Sequence, residues 1–117
     1  MLALLMSLSL FVAPSPVLTV PIVPKVELHP ALVPICTCES GLQHYDTKTG
    51  QVLKGKENPL DTGICQINLK YHGEQAEKLG LNLFEEEGNI NYANWLYSKE
   101  GTEPWKYSRS CWSPSSS

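Results

Sequence analysis

Positive charge is thin on this chain and nowhere concentrated. Nine Lys and Arg face twelve Asp and Glu in 117 residues, a net charge of −3. With no basic stripe to neutralise phosphates, nucleic acid is excluded as an expected partner. Lys70, Lys78 and Lys99 lie apart and read as solvated side chains. Residues 1–34 are poorer still, with two charged residues, Lys25 and Glu27, and one aromatic, Phe11. No apolar run reaches the roughly twenty residues that span a bilayer as a straight helix. Neither a C-x-x-C pair nor a pair of histidines at ligand spacing occurs, which counts against a zinc site built on the four cysteines. The competing reading of those cysteines is a set of disulfide staples formed in an oxidising compartment.

What the N-terminal third does hold is aliphatic residues and proline. Residues 2–13 have the composition of a secretory hydrophobic region or an uncleaved membrane anchor, which makes the protein secreted or membrane-anchored, outside the cytoplasm. No Lys or Arg precedes the run, and Pro14 follows the small residue Ala13 where cleavage is expected. A buried core helix is the alternative, but prolines at 14, 16, 21 and 24 forbid its extension. Six of the nine prolines fall in the first 34 residues, so 14–33 read as a semi-rigid extended tether. The folded domain is expected over 34–113, a size at which a hydrophobic core alone is marginal, with a disordered tail at 114–117.

Periodicity divides that domain. Ile35-Cys36-Thr37-Cys38-Glu39-Ser40 reads as a two-turn helix, with Pro34 at the first helical position and Gly41 as the stop. Leu42–Asp46 and Gln51–Gly55 flank Thr47-Lys48-Thr49-Gly50 as two short strands around a turn. Asn58–Gly63 is a second turn cluster, in which Asp61 is expected to bond its own backbone. Ile64–Asn68 suits either a third strand or a helix entry. One helix then runs from Lys70 to its stop at Gly80. Another begins near Glu85-Glu86-Glu87, whose charges suit a helix N-terminus, and stops at Gly101. Ile90, Ala93 and Tyr97 form its core stripe by spacing. Pro104–Trp112 reads as an aromatic-rich helical turn. A helix, then a small sheet, then helices is an α+β layout with segregated elements.

Glu39 is the residue of chemical interest. An anion in the last turn of a helix meets the negative end of the dipole, and a carboxyl screened from water there keeps its proton. Glu39 is therefore a candidate general acid. Gln66 and Asn68, set among cysteine and isoleucine, either satisfy nearby backbone groups or present amides to a polar ligand. His44 and His72 have no partner at metal spacing. Tyr45, Tyr92, Trp95, Tyr97, Trp105, Tyr107 and Trp112 are numerous for the size; most belong to a core, and one or two exposed rings suit stacking on sugar faces.

Taken in order, four motifs form a pattern. They are Cys38-Glu39-Ser40-Gly41; Asp61-Thr62-Gly63-Ile64-Cys65-Gln66-Ile67-Asn68; Gly88-Asn89-Ile90-Asn91-Tyr92-Ala93; and Trp105 through Ser108 to Cys111-Trp112. Over about residues 33–112 this pattern resembles the soluble lytic transglycosylase domain of the lysozyme superfamily, most closely its small secreted, resuscitation-promoting-factor-type members. The resemblance implies a mostly helical, lysozyme-like α+β fold with a small antiparallel hairpin and a cleft. It implies cleavage of peptidoglycan between N-acetylmuramic acid and N-acetylglucosamine, with Glu39 as the single acid and base. The product would be an anhydro sugar or, with water as acceptor, a reducing end. Gln66, Asn68 and Tyr92 would line the cleft, with Ser40, Tyr45 and Asp61 as further members; a two-carboxylate hydrolase would need a second acid as well, for which Asp46 and Asp61 are the candidates. The small relatives imply pairing of Cys38 with Cys111; Cys36 and Cys65 are additions to the pattern and are expected to pair with each other. No metal or organic cofactor is required, and a monomer acting on glycan strands is expected. The alternatives are a non-catalytic wall-binding module and a structural, disulfide-stapled envelope domain.

Overall fold

The computed structural model describes residues 25–114. The hydrophobic segment 1–13, the tether as far as residue 24 and the serines of the tail lie outside the described residues. Within them the elements are α1 (Leu32–Ser40), β1 (Asp61–Thr62), β2 (Ile67–Asn68), α2 (Leu69–Lys78), α3 (Glu86–Glu100), a 3-10 helix (Glu103–Ser108) and α4 (Arg109–Trp112). The α+β layout is present, with a two-stranded antiparallel sheet pairing Asp61 with Asn68 and Thr62 with Ile67. None of the described helices is long and apolar enough to cross a membrane.

Helix α1 begins at Leu32, two residues before the expected boundary. Pro34 thus falls at the third helical position rather than the first. It is tolerated because N–H groups of the first turn have no intrahelical acceptor. Gly41 closes the helix in the left-handed conformation, φ 68°, and its N–H returns to the Thr37 carbonyl. Leu32, Ile35 and Cys36 are buried on one stripe. Glu39 is the next residue on that i, i+3, i+4, i+7 stripe, so the acid projects from the core-facing side.

Residues 25–33 of the expected tether belong partly to the fold. Val26 and Leu28 pack on the core. Asn94 of α3 holds the backbone beside them, donating to the Glu27 carbonyl at 2.9 Å and accepting from His29 N–H at 2.8 Å. The two strands expected around Thr47–Gly50 reduce to one bridge, Tyr45 to Val52. Asp46 explains the tight turn: its carboxylate accepts from the N–H groups of Lys48 and Thr49. Segment 64–68 is both of the alternatives, since Ile67–Asn68 is a strand and Asn68 then caps α2 through the N–H groups of Lys70 and Tyr71.

The core runs between α1, the sheet and α3. On α3 the buried line is Asn89, Ile90, Tyr92, Ala93 and Leu96, while Tyr97 is half-buried against the His29 ring. Buried polar groups sit where the backbone of 62–65 turns. Asn89 accepts from Cys65 N–H and donates to the carbonyls of Thr62 and Leu83. His44 accepts from Ile64 N–H at Nδ1, which leaves Nε2–H to donate to the Phe84 carbonyl. Gly63, φ 76°, passes so close to both that a Cβ would lie 2.6 Å from Asn89 Nδ2. No larger residue fits there.

Candidate active site

Four ties fix the end of α1. Cys36 is disulfide-bonded to Cys65 and Cys38 to Cys111. Glu39 Oε1 accepts from Ser108 Oγ at 2.7 Å. Ser40 Oγ donates to the Ile64 carbonyl at 2.5 Å. Positions four apart on a helix share a face, so Cys36 and Ser40 reach one neighbour while Cys38 and Glu39 reach another. Cys36 and Ser40 hold the turn at 63–66, whereas Cys38 and Glu39 hold the C-terminal segment. All four cysteines are used, which removes the thiolates a zinc site would need.

Glu39 lies where two cavities meet. One, of about 290 Å³, is walled by Ile67, Leu96, Pro104 and Trp105, with His72, Tyr71 and Tyr107 around it. The other, of about 590 Å³, is open and polar, walled by Gln43, Leu53 and the loop Lys54–Glu57. Glu39, Asn58, Asp61 and Gln66 border both. Burial pushes the Glu39 carboxyl above its ordinary value; the Ser108 hydrogen bond opposes that rise, and the negative charge of Asp61 adds to it. The C-terminal end of α1 acts in the same direction as burial.

The expected site residues divide into those that meet at Glu39 and those that do not. Asp61 is not a turn residue bonding its own backbone. It opens β1 and accepts from Asn68 Nδ2 at 3.0 Å. Asp46, its rival as a second carboxylate, is occupied in its own turn, as described above. Gln66 borders both cavities from a left-handed backbone, φ 51°. That conformation is uncommon for a residue with a side chain. Its Nε2 is held by the Gly63 carbonyl at 3.0 Å. Asn68 faces the smaller cavity but spends its side chain on the α2 cap and on Asp61. Ser40 borders the larger cavity while anchoring the 63–66 turn.

Two of the expected site residues border neither cavity. Tyr92 is 1% exposed and borders neither cavity; its hydroxyl meets His72 Nδ1 at 2.9 Å, and His72 is the residue on the wall. Tyr45 is absent from both linings and lies edge-on to the His44 ring in the hairpin. Both shifts follow from side-chain direction, which sequence spacing does not encode.

Several residues at the site carried no strong signal of their own in the sequence. Ser108 is one of many serines, and only packing brings it to Glu39. Tyr71 and Tyr107 are 75% and 92% exposed and stand at the smaller cavity. Burial lowers the pKa of His72, with Glu100 partly opposing, so its imidazole is neutral at pH 7. Trp105 is buried and donates to the Cys65 carbonyl at 3.1 Å, tying the 3-10 helix to the same turn as α1.

The chain matches no family model, no curated protein and no solved structure.

Proposed function

We propose that this chain is a lysozyme-like, peptidoglycan-cleaving glycosidase in which Glu39 is the general acid. The observation that carries the reading is a carboxyl held on the core-facing stripe of a helix, screened from water, at the junction of two cavities bordered by amides, a second carboxylate and exposed aromatic rings. A carboxyl that burial makes hold its proton more tightly than an ordinary glutamate is suited to donate to a glycosidic oxygen. Bond cleavage leaves oxocarbenium character on the sugar, which the Asp61 carboxylate stabilises electrostatically. Glu39, now ionised and favoured by the Ser108 hydroxyl, takes a proton from the acceptor. That acceptor is the muramoyl 6-hydroxyl, giving an anhydro sugar, or water, giving a reducing end. Tyr71 and Tyr107 offer ring faces to sugars, and Gln66 and Asn58 offer amides. The two disulfides fit an extracytoplasmic, oxidising setting for such an enzyme.

The test is release of soluble muropeptides from purified sacculi. Glu39→Gln is expected to lower the rate by at least about a hundredfold while leaving wall binding intact. Equal lysis by wild type and variant rejects the assignment. Mass spectrometry of the products separates anhydro from reducing ends. Wall binding without soluble products from wild-type protein indicates a binding module instead.

A further inference from the structure

The larger cavity differs from the smaller in kind, and that difference has a chemical use. Its outer wall is the loop Lys54-Gly55-Lys56-Glu57, which carries two cations and one anion. The loop is fixed rather than free. Lys54 bridges to Thr62 of β1, and Gly55 N–H donates to the Asp61 carbonyl at 2.9 Å. Lys54 and Lys56 border the same cavity. Neither ammonium is ion-paired: among the described residues the ion pairs are Lys78–Glu74 and Arg109–Glu103, both elsewhere. Lys54 and Lys56 are the cations of this lining, set beside the carboxyl groups of Glu39, Glu57 and Asp61 but forming an ion pair with none of them.

We propose that Lys54 and Lys56 form a carboxylate subsite, which binds the acidic substituent on the lactyl arm of a muramoyl sugar and so selects peptidoglycan over neutral chitin-type glycan. The assignment rests on the peptidoglycan reading for the identity of the glycan, though not on catalysis. The carboxylate has two sources. In strands bearing stem peptides it belongs to the peptide; in strands stripped by an amidase it is the lactyl group itself. Either would lie against the ammonium groups while the sugar rings occupy the junction at Glu39.

Binding to full-length protein carrying Glu39→Gln tests this without turnover, using three soluble probes: peptide-bearing strands, amidase-stripped strands and an N-acetylglucosamine oligosaccharide. Lys54→Ala with Lys56→Ala is expected to weaken binding of one or both muramoyl strands by about five- to tenfold, and to leave the neutral oligosaccharide unchanged. Lys54→Arg with Lys56→Arg restores it, and Lys48→Ala, in the neighbouring turn, has no effect. Loss on peptide-bearing strands alone assigns the peptide carboxylates; loss on stripped strands assigns the lactyl group. Equal loss on the neutral oligosaccharide, no loss on either muramoyl strand, or the same loss from Lys48→Ala overturns the subsite. Charge-dependent binding by a protein that never cuts sacculi leaves the subsite standing and rejects the enzyme; cutting with charge-independent binding does the reverse.

Discussion

Ser108 and Glu39 are 69 residues apart in sequence and share a 2.7 Å hydrogen bond from hydroxyl to carboxylate. The hydroxyl is itself positioned, since Trp112 Nε1 donates to Ser108 Oγ at 3.1 Å. Its single proton has two acceptors in reach, Glu39 and the Trp105 carbonyl at 3.1 Å, and the ionised carboxylate is the stronger. Ser108 therefore stabilises the ionised form of Glu39 against the burial that disfavours it. Ser108→Ala is expected to raise the Glu39 pKa further. The basic limb of the pH–rate profile for muropeptide release then moves to higher pH, and Ser108→Thr leaves it in place. An unmoved limb in the alanine variant separates Ser108 from the acid.

Glu39 is also expected to cost stability at neutral pH. Its folded pKa lies above its unfolded value. Its favourable contribution is complete below the unfolded value, about 4.3, and is lost as pH rises through the higher folded value. Glu39→Gln is neutral at every pH and its Oε1 can still accept from Ser108. The variant should melt above wild type at pH 7, and the gap should close below about pH 4. Thermal unfolding at the two pH values checks this; a variant less stable at pH 7 contradicts the sign.

The two disulfides should matter unequally. Cys38–Cys111 spans 73 residues and Cys36–Cys65 spans 29. In the chain-entropy model their loss costs about 4.5 and about 3.6 kcal/mol respectively. Either figure is a large share of the stability of a domain this small. Paired alanine substitutions followed by denaturant unfolding compare them. Cys38→Ala with Cys111→Ala should in addition lower muropeptide release under conditions where the protein remains folded, because it frees the segment that carries Ser108. A pair that loses stability but keeps full activity shows that Ser108 is positioned by packing alone.

Asn89 is fully buried and makes three hydrogen bonds to the backbone of 62–65 and 83. Asn89→Ala leaves one N–H and two carbonyls without that partner. The expected cost is about 3 kcal/mol, from the penalty of roughly 1–3 kcal/mol for each stranded buried group with partial relief by relaxation. Asn89→Asp retains the acceptor for Cys65 N–H but confronts two carbonyls with an anion, and should be no better. Urea unfolding measures both. A loss below 1 kcal/mol for the alanine variant would mean that water replaces the side chain.

Local signals carried much of the fold. Gly41, Gly80 and Gly101 mark the ends of three helical segments, because a left-handed turn selects glycine, and the acidic run at 85–87 marks the start of α3. Glu39 was legible as an acid in the last turn of a short helix; its place on the stripe Leu32, Ile35, Cys36, Glu39 emerged only with a helix that starts at Leu32. Other positions were not legible, for physical reasons. Tyr45–Val52 makes one bridge where two strands were expected, because the Asp46 carboxylate satisfies the turn N–H groups that a longer ladder would otherwise organise. The core line of α3 falls on Asn89, Tyr92 and Leu96 more than on Tyr97, because it is set by what α3 packs against.

By itself the sequence determined roughly where helices start and stop, that the N-terminal third differs from the rest, and which carboxyl sits in the last turn of a helix. These are properties of neighbouring residues, and backbone sterics and 3.6-residue periodicity act over that range. The tertiary structure alone decided that Ser108 meets Glu39, that Asp61 rather than Asp46 borders the cavities, that His72 takes the wall position expected of Tyr92, and that Lys54 and Lys56 share a cavity with the acid. Each depends on where segments tens of residues apart come to rest, and that position follows from core packing and from two disulfides that draw residues 36, 38, 65 and 111 together.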